Sequence, residues 1–287
     1  MYHEAQSLID SKNYDEAILL LTQAAEGGYS QAMLTLGSMY YWGKGVESDT
    51  DKAIYWLKHD ANMGSHSAFR NLAHVYYRLG DSDENNQLAW TYYFKAASMD
   101  ERDLFYLGRM LYEKRVDLET VRQQVEGKVG DADLLFYDSL NAGMAEAALY
   151  IWKMSRDFDA DLAESYYEDG EKMLNTPGDY NNWAWLLCEW GEYEKALPYI
   201  EKCLSIAKEQ DEVHPDYLDT YAECLYGLGR RTDAERTFGM VMKTYREREE
   251  RRRLRETWEK MKEKFNDSVS FRISIPQMER IYGLSEE

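Results

Sequence analysis

Proline is scarce in this 287-residue chain, with 4 in all, and cysteine is scarcer still at 3. So few prolines leave long stretches free to run as helix without a break. The cysteines, Cys188, Cys203 and Cys224, are odd in number and show no C-x-x-C spacing, which excludes a disulfide framework and a thiolate zinc site. Their apolar-periodic surroundings predict buried free thiols. The five histidines, His3, His59, His66, His74 and His214, form no H-x-x-x-H pair on a helix face, so neither a metal nor any other cofactor is expected. No stretch approaches the roughly 20 apolar residues of a membrane span. The opening MYHEAQSLID lacks a basic segment followed by an apolar one, and the expectation is a cytoplasmic protein with no membrane partner.

Catalytic patterns are missing as well. There is no Gly-x-Ser-x-Gly elbow and no Cys-His pairing at a recognisable spacing. One stretch, Gly43-Lys44-Gly45, invites a nucleotide reading, but Ser38 stands where a phosphate loop needs its first glycine. Gly45, rather than Ser or Thr, follows Lys44, and the segment before it has the period of an amphipathic helix, not a strand. Glu47, Asp49 and Asp51 already put negative charge at the start of the next helix. The loop is expected to be a turn and the chain not to be an enzyme.

Charge narrows the partners. With 53 acidic against 34 basic residues the net charge is −19, which argues against nucleic acid and acidic membranes. The imbalance is uneven, because residues 243–264 are net basic within this acidic chain.

What the chain has in abundance is a period. Ala17, Ala53 and Ala89 recur every 36 residues, as do Ala25, Ala61 and Ala97; Gly28 and Gly64, and Leu36 and Leu72, keep the same spacing. A period in this range signals stacked units that cannot bury their apolar faces alone. Each unit reads as two helices broken at glycine, with Ser30 a plausible start, Gly43 and Gly45 the break, and Ser48 or Asp49 the next N-cap in a Ser48-x-x-Asp51 box.

Ala32, Leu36-Gly37, Tyr40, Gly43-Lys44-Gly45-Val46, Asp49, Lys52-Ala53, Trp56, Ala61 and Gly64 resemble the Sel-one-like repeat, a 36-residue relative of the tetratricopeptide repeat. Residues 68–97 carry the same marks around a shortened loop, 103–112 open a further unit, and Ala147 and Ile151 restart the pattern. Trp183-Ala184, Leu187, Gly191, Tyr193 and Ala196, then Tyr221-Ala222, Leu225, Gly229, Ala234 and Phe238, look like two ordinary tetratricopeptide repeats. The resemblance implies an all-α fold, a right-handed α–α superhelix or solenoid of antiparallel helix pairs. It would comprise a repeat array over 1–175, irregular at 116–143, and two tetratricopeptide-like repeats over 176–242.

Beyond these, 243–265 reads as a charged capping helix. Leu254, Trp258, Met261 and Phe265 form one stripe, and Glu247/Arg251, Glu249/Arg253 and Glu256/Lys260 are spaced for intrahelical ion pairs. The tail, 266–287, alternates apolar and polar residues over 268–275 in the strand period.

The resemblance further implies a scaffold that holds a protein or peptide along the first helix of each pair. Carrying that phase over selects Leu34, Ser38, Tyr41 and Trp42, then Arg70, Asn71, His74, Tyr77 and Arg78, then Phe105, Tyr106, Arg109 and Tyr112, and finally Asn181, Asn182 and Trp185. Arginine among aromatics is the composition of interface hot spots, and it would take acidic side chains or a C-terminal carboxylate. The same residues equally fit packing between repeats and ion pairing with acidic second helices. An assembly role for the C-terminal helix and tail is the alternative, and an enzyme using 116–143 a third.

Overall fold

The computed structural model describes residues 1–80, 82–117, 119, 132–210 and 213–265, so the strand-like stretch 268–275 and residues 118 and 120–131 of the irregular 116–143 region lie outside the described residues. The chain forms two compact units, Met1–Gly37 with Thr50–Leu174, and Ser38–Asp49 with Asn175–Glu287.

The first unit is a succession of helices: α1 (Tyr2–Asp10), α2 (Tyr14–Glu26), the first part of α3 (Ser30–Trp42), α4 (Thr50–Asn62), α5 (His66–Arg78), α6 (Asp83–Ala97), a 3-10 turn (Glu101–Asp103) leading into α7 (Leu104–Tyr112), α8 (Ala132–Asn141), α9 (Glu146–Ser155) and α10 (Ala160–Glu171). Neighbours in the chain pack on one another from α4 through α7 and from α7 through α10. Helix starts are set by short polar side chains: Ser65 accepts from the Ala68 amide, Ser82 from Asn85 and Asp159 from Leu162. Gly28 and Gly64, one period apart, end their helices with φ of 84° and 83°, a conformation that other residues resist.

The recurring small residues let the helices approach closely. Ala17, Ala53 and Ala89 are each fully buried, as are Leu36, Leu72 and Leu107. A Cβ on Gly37 would stand 2.8 Å from Leu57 Cγ, and one on Gly108 would stand 3.0 Å from the Phe136 ring. Glycine at these two positions is therefore a packing requirement more than a turn signal.

In the second unit, α11 (Pro177–Glu189) starts with a capping box between Thr176 and Asp179 and with Pro177 at its first turn. It is followed by α12 (Tyr193–Glu209), α13 (Pro215–Gly227), α14 (Arg231–Glu247) and α15 (Arg251–Phe265). The cysteines Cys188, Cys203 and Cys224 are buried free thiols. The capping stripe is present: Leu254 and Trp258 bury against Ala222, Leu225, Phe238, Val241, Met242 and Tyr245.

The expected single helix over 243–265 is corrected. The chain breaks at 248–250, where the Arg248 amide closes α14 on the Thr244 carbonyl and Glu249 takes a φ of 57°. Glu247/Arg251 and Glu249/Arg253 therefore do not share a helix. The basic face of α15 meets α13 instead: Arg253 pairs with Asp216 at 2.7 Å, and Lys260 reaches Asp219 at 3.1 Å and Glu223 at 2.6 Å. Lys260 thus takes its partners from another helix, where two carboxylates converge, rather than from Glu256 one turn away.

Gly37→Ala should lower the free energy of unfolding by about 1–3 kcal/mol despite alanine's better helix propensity, because Leu57 has no room to withdraw. Urea titration checks this, and Gly64→Asn, at a turn with open space, should cost less.

Candidate functional site

The selected residues of α5 and α7 come together in the first unit. The Tyr93 hydroxyl lies 2.8 Å from His74 Nδ1, the Tyr93 and Tyr106 rings stack at 4.9 Å, and His74 meets Tyr106 edge-on at 4.9 Å. Burial, with Arg70, Arg109 and Arg78 nearby, pushes the His74 imidazole down to about 4, so near neutrality it is uncharged. Burial likewise raises the Tyr106 hydroxyl to about 12.

Around this aromatic centre Arg70 and Arg109 already hold carboxylates. Arg70 forms an ion pair with Asp103, its Nε 2.8 Å from Oδ1, and His66 Nε2 stands 2.6 Å from the other oxygen of that buried carboxylate. Arg109 Nε lies 2.6 Å from Glu113 Oε1, while Tyr77 donates to Glu113 Oε2 at 2.5 Å and Arg115 reaches the same oxygen at 3.1 Å. Arg115 also lies over the Tyr77 ring at 4.0 Å. Burial opposes the charge on Glu113, yet Arg109, Tyr77 and Arg115 together hold its carboxyl below the ordinary range. These acidic partners of Arg70 and Arg109 come from the turn before α7 and from the residue that follows it. Asn71 and Arg78 are exposed at the side of this cluster, Tyr112 packs edge-on against Tyr150 at 5.3 Å, and Phe105 is buried.

The remaining selected residues lie in the second unit, apart from Leu34, which is half-buried on α3 in the first. In α11, Asn181 and Trp185 are half-buried and Asn182 is exposed; Ser38 is exposed on α3. Tyr41 and Trp42 are covered by their own chain. The Arg252 guanidinium sits 4.1 Å from the Tyr41 ring centre and Arg253 sits 4.2 Å from that of Trp42.

The loop after α3 makes this possible. Gly43 and Gly45 both have φ of 68°, Lys44 pairs with Glu250 in an isolated antiparallel bridge, and Ser48 donates to the Tyr41 carbonyl at 3.1 Å. Ser48 therefore secures the loop, and α4, starting at Thr50, leaves Asp49, the other expected cap, as the residue before its first turn. Asp216, against Arg253, is held well below the ordinary carboxylate range: burial works the other way, but His214, Arg253 and Tyr245 outweigh it.

Among known proteins, residues 2–29, 30–59 and 67–101 match the Sel1 repeat. Those three stretches are similar to Sel1 repeats, and such repeats are generally modules of protein–protein interaction. An 83-residue stretch is 36% identical to the chitin synthase regulator SKT5 of Saccharomyces cerevisiae, covering 28% of this chain and only 12% of that protein. The crystal structure of a Sel1 repeat protein from Oxalobacter formigenes aligns over 85% of this chain and 100% of its own, with a TM-score of 0.50 and 19% identity. That likeness shows the fold, an all-α solenoid of helix pairs. A protective antigen of uropathogenic Escherichia coli strains, also with an SLR fold, aligns over 99% of this chain and 75% of its own at a TM-score of 0.38 and 15% identity.

Among the described residues no helix is long and apolar enough to cross a membrane, and no group of three or more His, Cys, Asp or Glu could hold a metal ion. Glu113 was legible as the i+4 partner of Arg109. Asp103 and the Arg252–Arg253 cover were not, because their partners are distant in sequence.

His74 should leave a signature in the pH dependence of stability. Its folded pKa of about 4 lies below the ordinary 6.5, so the unfolded chain binds the proton first. Stability is then lost as pH falls from about 6.5 towards 4, with a slope of up to about 1.4 kcal/mol per pH unit. Urea midpoints measured between those pH values should show the slope, and His74→Gln should flatten it.

Proposed function

We propose that this chain is a non-enzymatic adaptor that works in the cytoplasm, without a cofactor, and binds a protein or peptide segment bearing acidic side chains or a C-terminal carboxylate. The reading rests on the aromatic and cationic face of α5 and α7. In a chain of net charge −19, Arg70, Arg78 and Arg109 are gathered there among Tyr77, Tyr106 and Tyr112. The inner members of that set are fixed by Asp103 and Glu113, so they present a preorganised surface rather than mobile side chains. Asn71 and Arg78, exposed on α5, are the positions at which a partner would make polar contacts. Tyr41, Trp42, Asn181, Asn182 and Trp185 belong to the same proposed phase in the second unit. A relative named as a regulator of an enzyme fits a chain that acts on another protein. The alternative, assembly through the C-terminal helix, is less supported because Leu254 and Trp258 of that helix are buried against its own chain.

The choice of variant matters. Reversing Arg70 or Arg109 would set a second carboxylate against Asp103 or Glu113 and destabilise the fold by up to about 3–5 kcal/mol, so lost binding would prove nothing. Asn71→Ala combined with Arg78→Glu changes two exposed side chains instead. With the immobilised chain, proteins captured by the wild type and identified by mass spectrometry should bind the double variant at least about tenfold more weakly, with thermal unfolding unchanged. Equal capture by both chains would rule out this face.

A further inference from the structure

The loop that follows α3 meets the start of α15 at a cavity of about 320 Å³ lined by Glu47, Ser48, Arg252, Arg255 and Glu256. Two of these residues are cationic, and their circumstances differ. Arg252 is held in place, its guanidinium over the Tyr41 ring and its Nε 3.1 Å from Glu256. Arg255 is exposed and, among the described residues, makes no ion pair. Across the cavity from them, in the loop, Ser48 is exposed and its hydroxyl donates to the Tyr41 carbonyl at 3.1 Å.

The local sequence adds an independent observation. Ser48 is followed by Asp49 and, three residues on, by Asp51, with Glu47 before it. A hydroxyl in so acidic a stretch is the substrate that a protein kinase with a basic peptide groove recognises by charge complementarity.

We propose that Ser48 is a phosphorylation site and that Arg255 and Arg252 receive its phosphate. In the transfer, Ser48 Oγ bonds to the γ-phosphorus of ATP as the bond to the bridging oxygen breaks. ADP leaves, and the hydroxyl proton passes to the kinase's base. The hydrogen bond from Ser48 to the Tyr41 carbonyl is lost, and a group of charge near −2 at neutral pH takes its place beside two guanidiniums. Charge-assisted contacts with Arg255, and with Arg252 in competition with Glu256, tie the loop to α15. The modification thereby fastens Arg252 and Arg253 over Tyr41 and Trp42. This inference stands whether or not α5 and α7 bind a partner.

The test uses the full chain, an acid-directed serine/threonine kinase, ATP and an acidic control peptide. Peptide mapping by mass spectrometry should place one phosphoryl group on Ser48, and Ser48→Ala should not take it up. Hydrogen exchange across 251–265 should then slow about tenfold on phosphorylation. Arg255→Gln should be phosphorylated equally well yet lose the slowing. The proposal is overturned if the control peptide is modified and Ser48 is not, if Thr50 takes the group in its place, if exchange in α15 is unchanged or faster, or if Arg255→Gln keeps the effect.

Discussion

Close approach of helices at positions that tolerate only small side chains is the constraint on which everything else in this protein depends. Ala17, Ala53 and Ala89 are fully buried at intervals of one repeat, and Gly37 and Gly108 face Leu57 and Phe136 with no room for a methyl group. A two-helix unit has too little interior to hold itself together. Stacked units share one, and only if their backbones come near enough for the Leu and Tyr beside each small residue to fill the gap.

The polar chemistry follows from that packing. Because helices α5 and α7 are held close, Asp103 is buried with Arg70 and His66 around it, and Glu113 can gather Tyr77, Arg109 and Arg115. Buried carboxylates with several donors are costly to disturb from one side only. They divide the face into an inner set, which maintains geometry, and an outer set around Asn71 and Arg78, which a partner can engage without dismantling the fold. The second unit repeats the theme at its end: basic residues of α15 answer acidic ones of α13 and also cover Tyr41 and Trp42.

Legibility in the sequence divided along the same lines. The repeat, the turns at Gly28 and Gly64 and the apolar stripe through Leu254 and Trp258 are local or strictly periodic, and spacing alone reveals them. The face of α5 and α7 was legible as a set of residue types. What they bond to was not, since Tyr93 lies 19 residues from His74 and Asp103 lies 37 from His66. The break at Glu249 escaped because a left-handed glutamate carries no signal comparable to glycine. The cover over Tyr41 and Trp42 depends on a contact more than 200 residues apart, which no periodicity encodes.

The central claim is that the outer side of α5 and α7 is where another protein is held. Hydrogen exchange of the chain alone and in complex with a captured partner tests it most directly. The account predicts protection concentrated in α5 around Asn71 and Arg78 and in the adjoining turns of α7. Protection confined to 251–287, with α5 and α7 exchanging as in the free chain, would contradict it.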